Sequence, residues 1–96
     1  MTQQEALRIL EDCRNRIDDI DRRILALLNE RTREVERIGR AKQMTGMLIY
    51  EPKREDQVYA NVTGNNAGPL PAEAVKRIFE RIIDEMRTVQ KRRMES

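Results

Sequence analysis

"LLNERTREVERIGRAK" (residues 27–42) has the spacing of an amphipathic helix, yet charge interrupts its apolar stripe. Leu28, Val35 and Ile38 fall on one helical face, and Arg31 and Lys42 share it. A helix that buries this face must bury two cations or find something to neutralise them. Upstream the pattern continues as columns at seven-residue spacing. One is Leu10, Ile17, Ile24, Arg31 and Ile38; the next is Arg14, Asp21, Leu28, Val35 and Lys42; a third is Cys13, Ile20, Leu27, Glu34 and Ala41. No proline precedes Pro52, and Gly39 lies inside the pattern, so the first glycine able to end the helix is Gly46. A helix from about Gln4 to Met44 is predicted, ~60 Å long at ~1.5 Å per residue.

Two shorter helices follow. Pro52 suits a first-turn position, with Glu51 beside the positive helix end, and this helix should stop before Gly64. "TGNNAGPLP" (63–71) is dense in turn formers and reads as a loop. A third helix opens near Pro71, carries Glu73 in its first turn and runs to about Met94. Its stripe is Val75, Ile78, Phe79, Ile82, Ile83, Met86 and Val89, with Gln90 continuing the Ile83–Met86 spacing. No strand pattern competes, so the expected fold is all-α. The long stripe overhangs what two short helices can cover, which predicts an intertwined helical homodimer.

Composition agrees. The 96 residues suit one small domain, and at this size a monomer buries a limited core, which again favours association. Hydrophobic residues make up 39% and charged residues 38%, with 3% aromatic, the profile of long helices. Lysine plus arginine number 19 against 17 acids, so a bulk nucleic-acid-binding tail is not indicated. The lone Cys13 cannot form an intramolecular disulfide and fits a reducing compartment; it reads as a small buried hydrophobe. The start "MTQQEALRILEDCRNR" lacks an apolar signal core, and no run approaches a membrane span, which together suggest a cytoplasmic protein. Histidine is absent, which excludes a Ser–His pair or a His-ligated metal. Any chemistry must run on Arg, Lys, Glu, Asp and Gln.

Four basic residues are candidates: Arg14, Arg31 and Lys42 on the long helix, and Arg54 in the first turns of the second, beside Glu55. Each alone has an ordinary explanation. Long cationic side chains lay their stems on apolar surface and keep their heads in water, and a seam charge can fix register, with Asp21 available to Arg14. Their number suggests more. Several like charges cannot be buried without counter-charge, and the neighbouring acids are few and mostly outward. A small dianion would supply the missing charge: two arginine forks for two carboxylates, with a lysine and an amide as further donors.

Taken together, Arg14 and Asp21, "ERxxxVxxIGxxK" (30–42), "YEPKRE" (50–55) and "RIFERIIDEMRTVQ" (77–90) make the chain resemble the all-helical chorismate mutases, the AroQ class, over essentially residues 1–96 as a single domain. The motifs are individually loose, but their order and spacing over three helices are specific. The resemblance implies rearrangement of chorismate to prephenate, a step toward phenylalanine and tyrosine, with no cofactor and no metal. It implies an intertwined dimer whose sites each take Arg14 from the partner chain. Arg14 and Arg31 would each hold one substrate carboxylate. Lys42 and Gln90 would hydrogen-bond the ether oxygen of the breaking C–O bond. Glu55 would accept from the ring hydroxyl, Glu51 would contact the same region, and Arg54 would support the site electrostatically. Position 51 is Glu where several members have Asp, one methylene shorter. Met86 stands where some relatives carry a small polar residue, leaving its contact to backbone or to none.

Rival readings are an isochorismate pyruvate-lyase on the same fold, against which Glu55 argues, and a non-catalytic helical dimer or regulatory module. The second predicts that Arg14, Arg31 and Lys42 find protein carboxylates or water. With nothing left over for a dehydratase, dehydrogenase or synthase domain, the expectation is a monofunctional enzyme with no nucleic-acid or membrane partner. Docking to another enzyme of the pathway stays open.

Overall fold

The structure, a computed structural model, describes residues 1–95. Among them are three α-helices, α1 (Gln3–Thr45), α2 (Pro52–Gly64) and α3 (Ala72–Glu95), and no strand. The expected bounds agree to within about a turn, and local chemistry explains the ends. Thr2 Oγ1 accepts the backbone N–H of Glu5 at 3.1 Å, a cap at the α1 N-terminus. At the other end Gly46 adopts φ 69°, and the Met47 N–H bonds back to the Lys42 carbonyl at 3.0 Å. That closure satisfies an orphan carbonyl and reverses the chain, with glycine supplying the left-handed conformation. Pro52 opens α2, and Asn65 closes it by bonding the Asn61 carbonyl through both backbone (3.1 Å) and side chain (2.7 Å). Asn66 ties the following loop to the Leu70 carbonyl at 2.7 Å.

The chain divides into two compact units, Met1–Arg33 and a second beginning at Glu34. The first is helical from Gln3 on and contains no buried residue. Leu10, Ile17, Ile20, Ile24 and Leu27 of the expected stripe are all exposed there, and so is Cys13, contrary to the buried position its column suggested. The second unit holds the end of α1 with α2 and α3. Its buried side chains are few: Val75, Ile83 and Met86 from the α3 stripe, and the polar Lys42 and Gln90. Phe79, Ile82 and Val89 are half-buried, and Ile78 is exposed.

Gly39 is buried at the crossing of α1 and α3, where a Cβ would stand 3.3 Å from Cγ of Gln90. A glycine mid-helix costs about 0.5–1 kcal/mol relative to alanine. Here it lets Gln90 lie against the α1 backbone. Near that crossing Gln43 donates to the Met94 carbonyl at 2.8 Å, and Arg93 pairs with Glu36. No helix of the described residues is long and apolar enough to cross a membrane.

Candidate active site

Lys42 is one of the few buried side chains of the second unit. It is 5% exposed, and its ammonium meets three oxygens: the Ile49 carbonyl at 2.9 Å, Gln90 Oε1 at 3.1 Å and Glu51 Oε1 at 2.8 Å. The contacts with Ile49 and Gln90 are hydrogen bonds and the one with Glu51 is an ion pair, so the buried cation has both acceptors and a counter-charge within the chain. Each oxygen comes from a different feature. Ile49 arrives through the reversal at Gly46, Gln90 from α3, and Glu51 from the N-terminus of α2. Glu51 makes no capping bond to its own helix; its carboxylate goes to Lys42 instead. The amide nitrogen of Gln90, itself 6% exposed, donates to the Val35 carbonyl at 3.4 Å.

This corrects one expectation. The place of Lys42 on an apolar stripe implies a buried cation without a protein counter-charge, and Glu51 supplies one. Taken alone, that is the outcome the non-catalytic reading required of Lys42. The pair is nevertheless uneven, because the lysine side chain is 6% exposed and that of Glu51 37%. Of the two side-chain partners, Glu51 is the more open to water or a solute, since Gln90 is buried.

A second charge pair lies one turn along α2. Glu55 is half-buried, with its Oε2 3.1 Å from Nε of Arg87 on α3. The approach lies off the N–H direction, so this is an ion pair and the buried Nε has no aligned hydrogen bond. The same guanidinium pairs with Asp84 and lies over the Tyr50 ring, 5.7 Å from its centroid. Sequence reasoning missed Arg87. The signal available was its place one turn before Gln90 on α3, and nothing in the sequence links it to Glu55. Tyr59 on α2 carries the Lys76 ammonium 5.6 Å from its ring centroid. Burial pushes its phenol above the ordinary value, the carboxylates of Glu55, Glu80 and Asp84 add to the rise, and Arg87 opposes it.

The remaining candidates sort by unit. Lys42, Glu51, Glu55, Met86 and Gln90 belong to the second unit; Lys42, Glu51 and Gln90 meet directly, Glu55 pairs with Arg87, and Met86 is buried on α3. Arg54 is exposed and turns its Nη1 to Gln57 at 3.4 Å, one turn along its own helix. Arg14 and Arg31 belong to the first unit, Arg14 exposed and Arg31 half-buried on α1. Among the described residues no group of His, Cys, Asp or Glu could hold a metal ion.

Known proteins point the same way. The chorismate mutase type II family matches residues 13–91. A bifunctional chorismate mutase/prephenate dehydratase of Neisseria gonorrhoeae is 44% identical over 78 residues, covering 81% of this chain and 21% of that protein. Its counterpart in Aquifex aeolicus is 34% identical, over 86% of this chain and 24% of its own length. The chain thus spans about a fifth to a quarter of these relatives. A chorismate mutase structure (form II) from Thermus thermophilus superposes with a TM-score of 0.84 at 36% identity, covering 86% of this chain and 94% of that one. With matched segments running through all three helices, the chain belongs to the type II chorismate mutase family.

Proposed function

We propose that this domain rearranges chorismate to prephenate, and that Lys42 and Gln90 act on the ether oxygen of the bond that breaks. The observation that carries the reading is the contact between the Lys42 ammonium and the Gln90 amide, 3.1 Å apart and both nearly excluded from water. A pericyclic rearrangement needs no nucleophile, metal or proton shuttle, so a chain without histidine lacks nothing for it. The protein contributes conformation and electrostatics. Negative charge builds on the ether oxygen as its bond stretches, and fixed donors in a dry site are worth about 3–4 kcal/mol each against such charge. Two hydrogens of the Lys42 ammonium go to Ile49 and Gln90, while Glu51 makes an ion pair beside them, so one hydrogen remains for the ether oxygen. The Glu51 side chain, 37% exposed, stays near enough to contact the ring hydroxyl region.

The remaining roles rest on the resemblance. Arg31 and a partner chain's Arg14 each hold one carboxylate, drawing the extended dianion into a compact chair; such preorganisation reaches ~7–11 kcal/mol in favourable systems. Glu55 accepts from the ring hydroxyl, Met86 lines the pocket, and Arg54 adds positive potential from the surface. A second copy of the chain would cover the exposed apolar stripe of residues 1–33 and bring Arg14 with it. The reading includes a cytoplasmic enzyme able to act beside other enzymes of its pathway; the curated relatives carry the mutase together with a dehydratase.

The test is direct. Purified protein incubated with chorismate should remove its absorbance and yield prephenate, Arg31→Ala should be severely impaired, and isochorismate should yield no salicylate and pyruvate. Inertness toward chorismate would overturn the assignment, and pyruvate release from isochorismate would move it to the lyase.

A further inference from the structure

We infer that Arg87 is a positioning residue for the reaction: it orients the Glu55 carboxylate so that this carboxylate accepts from the ring hydroxyl of the substrate. The inference rests on the proposed function and adds a residue which that reading does not use. Glu55 has a long side chain with several rotors, and an unrestrained carboxylate loses rotamer freedom each time it meets a ligand. Here Oε2 is engaged by Arg87 at 3.1 Å, and the Glu55 side chain is only 17% exposed. Arg87 is in turn held from two further sides, by the face of Tyr50 and by Asp84 of its own helix. A planar guanidinium fixed by a ring and a carboxylate has little freedom left, and it transmits that constraint to Glu55.

The register of the elements supports the assignment. Glu51 at the N-cap of α2 and Glu55 within it stand one turn apart, as do Arg87 and Gln90 on α3. Each acid thus meets a cation, Glu51 with Lys42 beside Gln90 and Glu55 with Arg87. Engagement of Oε2 from the α3 side leaves the acceptor capacity of Oε1 to serve the hydroxyl. The same ion pair supplies the charge that keeps two half-buried groups compatible with their surroundings.

A double-mutant cycle on kcat and KM for chorismate tests this. Arg87→Met should lower kcat/KM about tenfold, and in a Glu55→Gln background the same change should have almost no further effect, because the two residues act as one unit. Arg87→Lys should restore part of the loss. With a chorismate analogue whose ring hydroxyl is replaced by hydrogen, Arg87→Met should match the parent. A merely structural arginine would instead lower the melting temperature and act equally in both backgrounds and on both substrates. Should Arg87→Met fail to fold, Asp84→Asn loosens the arginine at an exposed position and should give a smaller loss that also vanishes in the Glu55→Gln background. Losses that multiply across the cycle overturn the inference while leaving the function intact. A parent protein inert to chorismate overturns the function, and the inference falls with it.

Discussion

Lys42 and Leu27 belong to the same helix, and each inverts the usual rule of burial: the lysine is 5% exposed and the leucine 63%. The contrast extends to their regions. From Glu34 onward, α1, α2 and α3 provide one another's partners, and even the buried ammonium has its three oxygens nearby. Residues 1–33 have the same amphipathic pattern, but Ile17, Ile24 and Leu27 remain in water. An apolar stripe of that extent on an isolated helix is unstable by propensity alone and calls for a packing surface. The first region is informative about chemistry, the second about assembly.

The strongest way to break this contrast is to remove the lysine. Lys42→Ala should lower kcat about 100- to 1000-fold if Lys42 donates to charge developing in a dry site. Circular dichroism should still report a helical protein, because Glu51 is exposed enough to be hydrated once its partner is gone. Unfolding would mean that the lysine is structural.

The next effect lies in the other region. Arg14→Ala should raise KM about 10- to 100-fold through loss of a charged hydrogen bond. If the arginine is supplied by a partner chain, co-refolding Arg14→Ala with Lys42→Ala chains should recover roughly a quarter of parental activity, from the one intact site in each mixed dimer. No recovery would assign Arg14 to its own chain's site or to none.

Gln90→Glu should alter the pH profile rather than abolish activity. The native amide donates at any ordinary pH. The introduced carboxyl donates only when protonated, so activity should be present below its pKa and lost as pH rises through it. A profile identical to the parent's would remove Gln90 from the ether oxygen.

The smallest effect belongs to Gly39→Ala. A Cβ placed 3.3 Å from Cγ of Gln90 requires that side chain to give way by a few tenths of an ångström. The lost packing offsets the gain of about 0.5–1 kcal/mol in helix propensity, so the melting temperature should hardly move. kcat should fall roughly threefold, since small misplacements of a donor weaken its contact. A more stable and fully active variant would show that the crossing of α1 and α3 tolerates a wider gap.

Much of this was legible in advance. The uninterrupted pattern before Gly46, the proline at position 52 and the turn formers of 63–71 define the helices, because these signals act over a few residues. Lys42 and Gln90 stood out as polar residues on apolar stripes, and they do meet. Burial of Cys13 was expected from its column and is not found, since periodicity identifies a face without saying whether this chain covers it. Arg87 was passed over because its partners Glu55 and Tyr50 lie more than thirty residues away, on other elements.

Sequence by itself determined the helical class and the three elements with their ends, since period, caps and breakers are local physics. Of the polar residues on apolar stripes it singled out two that are buried, Lys42 and Gln90. Tertiary structure alone decided which charges neutralise one another. Glu51 and Glu55 differ little as letters in a helix start, but each takes its role from the cation that folding brings to it, Lys42 from α1 and Arg87 from α3. Electrostatic partnership depends on distance and burial, and neither is a property of the chain before it folds.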